Sequence, residues 1–172
     1  MLRRTTQAQF SALVRAARER VPNVNITTDV IVGFPGETDA EFETSAAFIA
    51  DMDFAGMHVF RYSKRPETAA ARMRGHIAGN VAKKRSARLL ALAAEQERRF
   101  TERNTGQTLP VLWEQVAGST PDGFNNVGYT DNYIRVSCIH PRALTNLVTL
   151  ATLQGYDEER GQMRVAPIIG GV

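Results

Sequence analysis

Two segments of the chain combine residue types at spacings that could do chemistry. The first, Gly33-Phe34-Pro35-Gly36-Glu37-Thr38, follows directly on a β-branched, mostly apolar run at 25–32. Glycines at the carboxyl end of a strand let backbone approach a ligand closely, and a helix starting behind them offers free N–H groups to polar or anionic atoms. A tight strand-to-helix loop shaped only by its geometry would use the same residues. The second segment, Phe60-Arg61-Tyr62-Ser63-Lys64-Arg65-Pro66-Glu67-Thr68, closes another strand-like run. Arg, Tyr, Ser and Thr in one loop could contact a carboxylate or a phosphate, and a merely solvated polar loop would look alike. Basic residues also gather at Arg72, Arg74, Lys83, Lys84, Arg85 and Arg88, then at Arg98, Arg99 and Arg103. They suit either a phosphate-facing stripe or the wet face of a helix.

Other chemistries find no support. The single Cys138 rules out an internal disulfide framework and any site built on several thiolates. His58, His76 and His140 lack ligand spacing, so neither a zinc nor an iron–sulfur site is expected from this chain alone. No catalytic residue and no metal ligand is assigned. With 172 residues, 43% hydrophobic and 23% charged, the chain has enough apolar surface for one ordinary domain or two small ones. No apolar run approaches the roughly 20 residues of a bilayer span. The opening Met1-Leu2-Arg3-Arg4-Thr5-Thr6-Gln7 lacks the apolar stretch of a secretory signal, and a cytoplasmic, membrane-free protein is expected.

The elements that must position these residues follow from periodicity. Phe10, Leu13, Val14, Ala17 and Val21 recur at helical spacing until Pro22. The run at 25–32 has the composition of a buried strand. Thr38-Asp39-Ala40-Glu41 forms a capping box. Behind it Phe42, Ala46, Ile49 and Met52 give the buried face of a helix that Asp53 and Gly56 end. A strand at 57–62 completes a βαβ unit, so the two strands should run parallel with a right-handed crossover. This is one piece of a repeating β/α architecture. A long helix is expected over 78–104, with a boundary near Thr105-Gly106. Beyond it, strand patterns at 108–116, 127–139, 144–153 and 162–169, with a turn at 118–123, suggest a small barrel.

Thr27-Thr28-Asp29-Val30-Ile31-Val32-Gly33-Phe34-Pro35-Gly36-Glu37-Thr38, followed by His58-Val59-Phe60-Arg61-Tyr62-Ser63-Lys64-Arg65-Pro66, resembles the end of the radical-SAM domain of methylthiotransferases. The barrel-forming tail, with Gly128-Tyr129-Thr130-Asp131-Asn132-Tyr133-Ile134-Arg135-Val136, resembles their TRAM domain, a small RNA-binding β-barrel. The resemblance implies an α/β plus all-β chain. Residues 1–75 would be the carboxy-terminal portion of a parallel, TIM-like β/α barrel and 76–104 a connecting basic helix. A five-stranded TRAM/OB-like barrel would fill 105–170.

The branch resembled most adds a methylthio group to N6-threonylcarbamoyladenosine beside the anticodon of tRNA. The implied cofactors of such an enzyme are S-adenosylmethionine and [4Fe–4S] clusters. Its partners would be tRNA and the amino-terminal domains of the parent enzyme. Gly33, Phe34, Pro35, Gly36 and Glu37 match the loop bordering the S-adenosylmethionine site, and Tyr62, Ser63 and Arg65 match the polar end of the last barrel strand. Tyr129, Asn132, Tyr133 and Arg135 match the part of TRAM expected to touch RNA, with Lys83, Lys84, Arg85 and Arg88 as the basic helix. Tyr129 and Tyr133 could equally form a cross-strand pair in the barrel wall.

Two departures accompany the resemblance. Glu67 stands where the family's Arg-Pro-Gly-Thr loop has glycine, and Arg61 replaces an expected proline. The Cys-x3-Cys-x2-Cys triad that holds the radical cluster is absent, so the chain alone is expected to hold no cluster and to be catalytically inactive. A free-standing RNA-binding module and a piece of the branch that modifies a ribosomal protein are the alternatives. An open barrel edge would also lead the chain either to dimerise through that edge or to keep only the TRAM-like part well ordered; a monomer by light scattering, with both halves equally protected in hydrogen exchange, would contradict that.

Overall fold

The computed structural model describes residues 5–169. Two compact units divide the chain, Met1–Glu97 and Arg98–Val172.

In the first unit, helix α1 (Gln7–Arg20) opens on a reciprocal capping box between Thr6 and Gln9. Strand β1 (Thr27–Val32) then leads through the glycine loop into α2 (Asp39–Met52), and β2 (Gly56–Arg61) returns beside β1. The two strands are parallel, in register from Thr27↔Gly56 to Val32↔Arg61. The expected βαβ unit is present. Its start is held by Thr38, whose hydroxyl accepts from the Glu41 N–H at 3.2 Å while Glu41 Oε2 accepts from the Thr38 N–H at 2.8 Å. Its end is held by Arg18, which donates to the carbonyls of Met52 and Asp53 at 2.7 and 2.6 Å and so satisfies the last turn of α2.

The core of this unit gathers Val14, Val32, Phe42, Ile49, Phe54 and Leu89. One expectation needs correcting. β1 is not buried on both faces, because the helices cover only one side of a two-stranded sheet. Val32 is buried, whereas Ile31 is 41% exposed and its register partner Phe60 is 53% exposed. Each strand also pairs on one side only.

After β2 comes a one-turn helix that the periodicity did not show, α3 (Ala69–Arg72), capped by the Thr68 side chain. The residue before that cap is Glu67, and it adopts φ 68°. The glycine position therefore does need the left-handed region, which costs a side-chain-bearing residue about 1–2 kcal/mol. Glu67→Gly is expected to stabilise the first unit by about 1 kcal/mol, part of the relief being offset by the extra freedom of glycine in the unfolded chain. A urea titration followed by amide exchange of α2 checks this. An unchanged or lowered midpoint would mean that the loop relaxes at no cost.

Helix α4 (Gly79–Glu102) follows, and its final turns belong to the second unit, where Phe100, Thr101 and Asn104 are buried. Strands β3 (Thr108–Thr120), β4 (Gly123–Thr130), β5 (Arg135–His140), β6 (Val148–Asp157) and β7 (Gln162–Ile168) close into a barrel in the order β3-β4-β5-β7-β6. All neighbours are antiparallel except β5 and β7. That strand order, with its one parallel pair, is the five-stranded topology of OB-type barrels. Val111, Trp113, Val136, Leu144, Ala151 and Met163 fill its centre with no exposed surface.

Three strand expectations change, the first being that the strand expected at 144–153 runs from Val148 to Asp157. The turn placed at 118–123 narrows to Pro121-Asp122, because β3 runs on to Thr120 across irregularities beside Gln115 and Gly118. The run 127–139 is two strands folded about a turn at 131–134. Among the described residues no helix is long and apolar enough to cross a membrane.

Candidate cofactor cleft and nucleic-acid interface

The glycine loop is built around one carboxylate. Glu37 Oε2 accepts from the Gly33 N–H at 2.7 Å and from Arg85 Nη1 at 2.6 Å. The same guanidinium donates to the Glu37 carbonyl at 3.1 Å and to Asp39 Oδ1 at 2.5 Å. Arg85 is held above the ordinary guanidinium range by the Asp39 hydrogen bond first, against its own burial, and then by Glu37. For stability the Glu37 contact matters more. Glu37 is 16% exposed, whereas Asp39 is 92% exposed and screened by water. Gly33 sits at φ 74°, and a Cβ there would lie 2.8 Å from the Ala82 Cβ, so both conformation and space require glycine. Gly36 donates to the Gly75 carbonyl at 2.8 Å, tying the loop tip to the 73–78 connection.

This arrangement floors a cleft of about 480 Å³ at the carboxyl ends of β1 and β2. Gly33, Arg61, Tyr62, Ser63 and His76 line it. The Tyr62 ring packs edge-on against Phe34 at 5.3 Å and tilts over His76 at 6.1 Å. Its hydroxyl is buried and has no hydrogen-bond partner among the described residues. Of the residues expected here, Gly33, Tyr62 and Ser63 line the cleft, Phe34 supports it through Tyr62, and Pro35 is buried in the loop. Glu37 spends its carboxylate inside the loop. Arg65 is exposed and lies off the cleft wall. His76 and Ile77 were missed, because they arrive from a connection without periodicity and no local signal marks them.

The basic stripe divides. Lys83 and Lys84 are exposed, but Arg85 is 6% exposed and turned onto the loop and the Phe42 ring. Its expected place on a phosphate-facing stripe is therefore corrected: a buried guanidinium already engaged by two carboxylates has nothing to offer RNA. Arg88 pairs with Glu43 and also lies over Phe42, at 5.5 Å.

In the barrel, the β4–β5 turn is fixed from inside. Thr130 Oγ1 donates to Asn132 Oδ1 at 2.6 Å and accepts from the Ile134 N–H at 2.9 Å. Asn132 Nδ2 donates to Asn104 Oδ1 at 3.3 Å, and Asn104 is fully buried. Asn132 thus anchors the turn. Tyr133, at φ 61°, is presented outward with 78% of its surface exposed, and Arg135 follows it, exposed, at the start of β5. Tyr129 stands in register with Arg135, and its ring lies 6.5 Å from that of Tyr133. An exposed aromatic beside an exposed guanidinium suits base stacking with phosphate pairing. Cys138 lies in this unit too, and burial pushes its thiol up to about 11, which keeps it neutral.

The chain thus joins a parallel βαβ unit, whose glycine loop borders a cleft, to a closed five-stranded barrel with an aromatic, basic turn. The chain belongs to the methylthiotransferase family. It is 38% identical over 136 residues to the threonylcarbamoyladenosine tRNA methylthiotransferase MtaB of Bacillus subtilis, covering 79% of this chain and 30% of that protein. It is 35% identical over 144 residues to the tRNA-2-methylthio-N(6)-dimethylallyladenosine synthase of Bacillus cytotoxicus, covering 84% of this chain and 28% of the relative. With the synthase of that name from Maricaulis maris it shares 40% over 115 residues, 67% of this chain and 25% of the relative. The matched segment thus spans between a quarter and a third of the length of these curated relatives. No family model matches the chain.

Proposed function

We propose that this chain completes one side of the S-adenosylmethionine site and grips the tRNA in an enzyme that adds a methylthio group to N6-threonylcarbamoyladenosine beside the anticodon. The observation that carries this is the pairing, in one chain, of the glycine-loop cleft with the outward Tyr133 and Arg135 of the barrel turn. The names of the relatives support it. In this account residues 1–75 are the last units of a radical-SAM β/α barrel, 76–104 the connecting helix and 105–170 the TRAM-like barrel.

The residues present fit part of S-adenosylmethionine. Gly33 lets backbone approach the ligand, and Tyr62 brings to a cleft of suitable size a hydroxyl that is buried without a partner among the described residues. They do not fit a [4Fe–4S] cluster, because the one cysteine of the chain is a neutral thiol in the other unit. In the whole enzyme, S-adenosylmethionine and clusters held elsewhere supply the radical and sulfur chemistry. This chain's part is to bind and orient. Tyr62 and His76 form one wall of the cleft, Lys83 and Lys84 face phosphate, Tyr133 stacks on a base, and Arg135 pairs with the backbone.

Fusing the chain behind the amino-terminal part of the Bacillus subtilis relative, in cells lacking that enzyme, tests the proposal by mass spectrometry of tRNA nucleosides. The expected product is the methylthiolated threonylcarbamoyladenosine. Methylthiolated dimethylallyladenosine instead would move the chain to the other branch, which the Maricaulis maris similarity favours. An unmodified tRNA pool from a folded fusion would overturn both.

A further inference from the structure

The barrel closes through a short seam. β5 and β7 pair only at Val136↔Met163 and Ser137↔Arg164, after which β5 runs on to His140 and β7 to Ile168 without further pairing between them. Pro167 has no N–H to give a ladder there. The seam opens into a cleft of about 350 Å³, with Cys138 and Ile139 on one wall and Val165 and Pro167 on the other. Asn125, Ser137, Gln154, Arg160, Arg164 and Ala166 complete the lining.

Three features of this cleft point to a ligand. Asn125 Oδ1 is buried and accepts no hydrogen bond from the described residues. Native structures leave few such atoms, because each gives up its bonds to water without compensation. A donor seated in the cleft would restore the missing bond. Arg164 is exposed and has no ion-pair partner among the described residues, and Arg160 reaches Asp157 only at 4.0 Å. Two guanidiniums lining a small cleft of mixed polar and apolar walls suit a phosphate, and Ile139, Val165 and Pro167 suit the face of a planar ring.

We propose that this cleft takes one nucleotide of a single-stranded RNA. The Asn125 carboxamide accepts from an amino group on the base edge, and Arg160 and Arg164 hold the adjoining phosphate. The inference rests on the barrel being an RNA-binding module but concerns a second place on it. β5 begins at the Tyr133 turn and ends at this cleft.

The test is a ¹H–¹⁵N titration of the full chain with adenosine 5′-monophosphate, and in parallel with inorganic phosphate. Shifts are expected at the amides of Cys138, Ile139 and Val165, with the nucleotide binding at least tenfold more tightly than phosphate. Arg164→Ala should weaken nucleotide binding about tenfold by removing a charge-assisted contact. Asn125→Ala should weaken it about fivefold while leaving thermal stability equal or higher, since it removes an unsatisfied buried atom. A purely structural Asn125 would instead lose stability. Equal affinity for nucleotide and phosphate, or shifts confined to Asp131 and Tyr133, would overturn the cleft as a nucleotide site. Failure at the turn with shifts at the cleft would count against the β4–β5 contact alone.

Discussion

Gly128→Ala is expected to destabilise the barrel by about 3 kcal/mol or more, among the largest effects of any single substitution in this chain. Gly128 lies opposite Trp113 where β3 carries a register shift between Trp113 and Gln115. A Cβ at Gly128 would sit 2.2 Å from the Leu112 carbonyl oxygen and 3.0 Å from the Trp113 Cα. Both are backbone, so no side-chain rotation relieves the clash. The strands must separate, and Trp113, which is fully buried and donates from Nε1 to Thr149 Oγ1 at 2.9 Å, loses its packing with them. Thermal unfolding read by the near-ultraviolet signal of Trp113, the chain's one tryptophan, measures this directly. A midpoint within about 3 °C of the parent, under 1 kcal/mol for a domain of this size, would mean that the bulge can widen freely.

Arg85→Ala is expected to cost the first unit about 3 kcal/mol, because it leaves Glu37 half-buried without its cation. Glu37 keeps the Gly33 N–H, so the loop loses its tie to α4 before it loses its own turn. Arg85→Lys should recover less than half, since an ammonium cannot reach Glu37 and Asp39 with one planar fork. Adding Glu37→Gln to Arg85→Ala should recover part of the loss by removing the unpaired charge. Urea unfolding followed by amide exchange in α2 separates these cases. Additive losses in the double variant would show that the pair does not act as a unit.

The first unit was legible where its signals are local. The Thr38 box, the Phe42, Ala46, Ile49 and Met52 stripe and the β-branched run each fix one element within a few residues. The left-handed Glu67 has no local signal of its own; only the resemblance, which puts glycine at that position, raises the question that φ 68° answers. What could not be read depends on partners far along the chain. Arg85 looks like any residue of a basic helix until the loop's Glu37, 48 positions earlier, is brought beneath it. Asn132 looked like an RNA contact, yet it is bound to Asn104 through the barrel's closure. The cleft at the β5–β7 seam arises from a parallel pairing between strands separated by the whole of β6. No window of sequence contains it.

The tRNA grip proposed for this chain lies at the β4–β5 turn. Fluorescence anisotropy of labelled tRNA, titrated with the full chain across a salt series, tests it most directly. Binding is expected to weaken as salt rises, with Tyr133→Ala lowering affinity about tenfold through lost base stacking. Arg135→Ala should weaken binding at every sequence and reduce the salt slope by about one. Absence of binding at low salt, or binding indifferent to both substitutions, would contradict the claim and leave the barrel turn as scaffold.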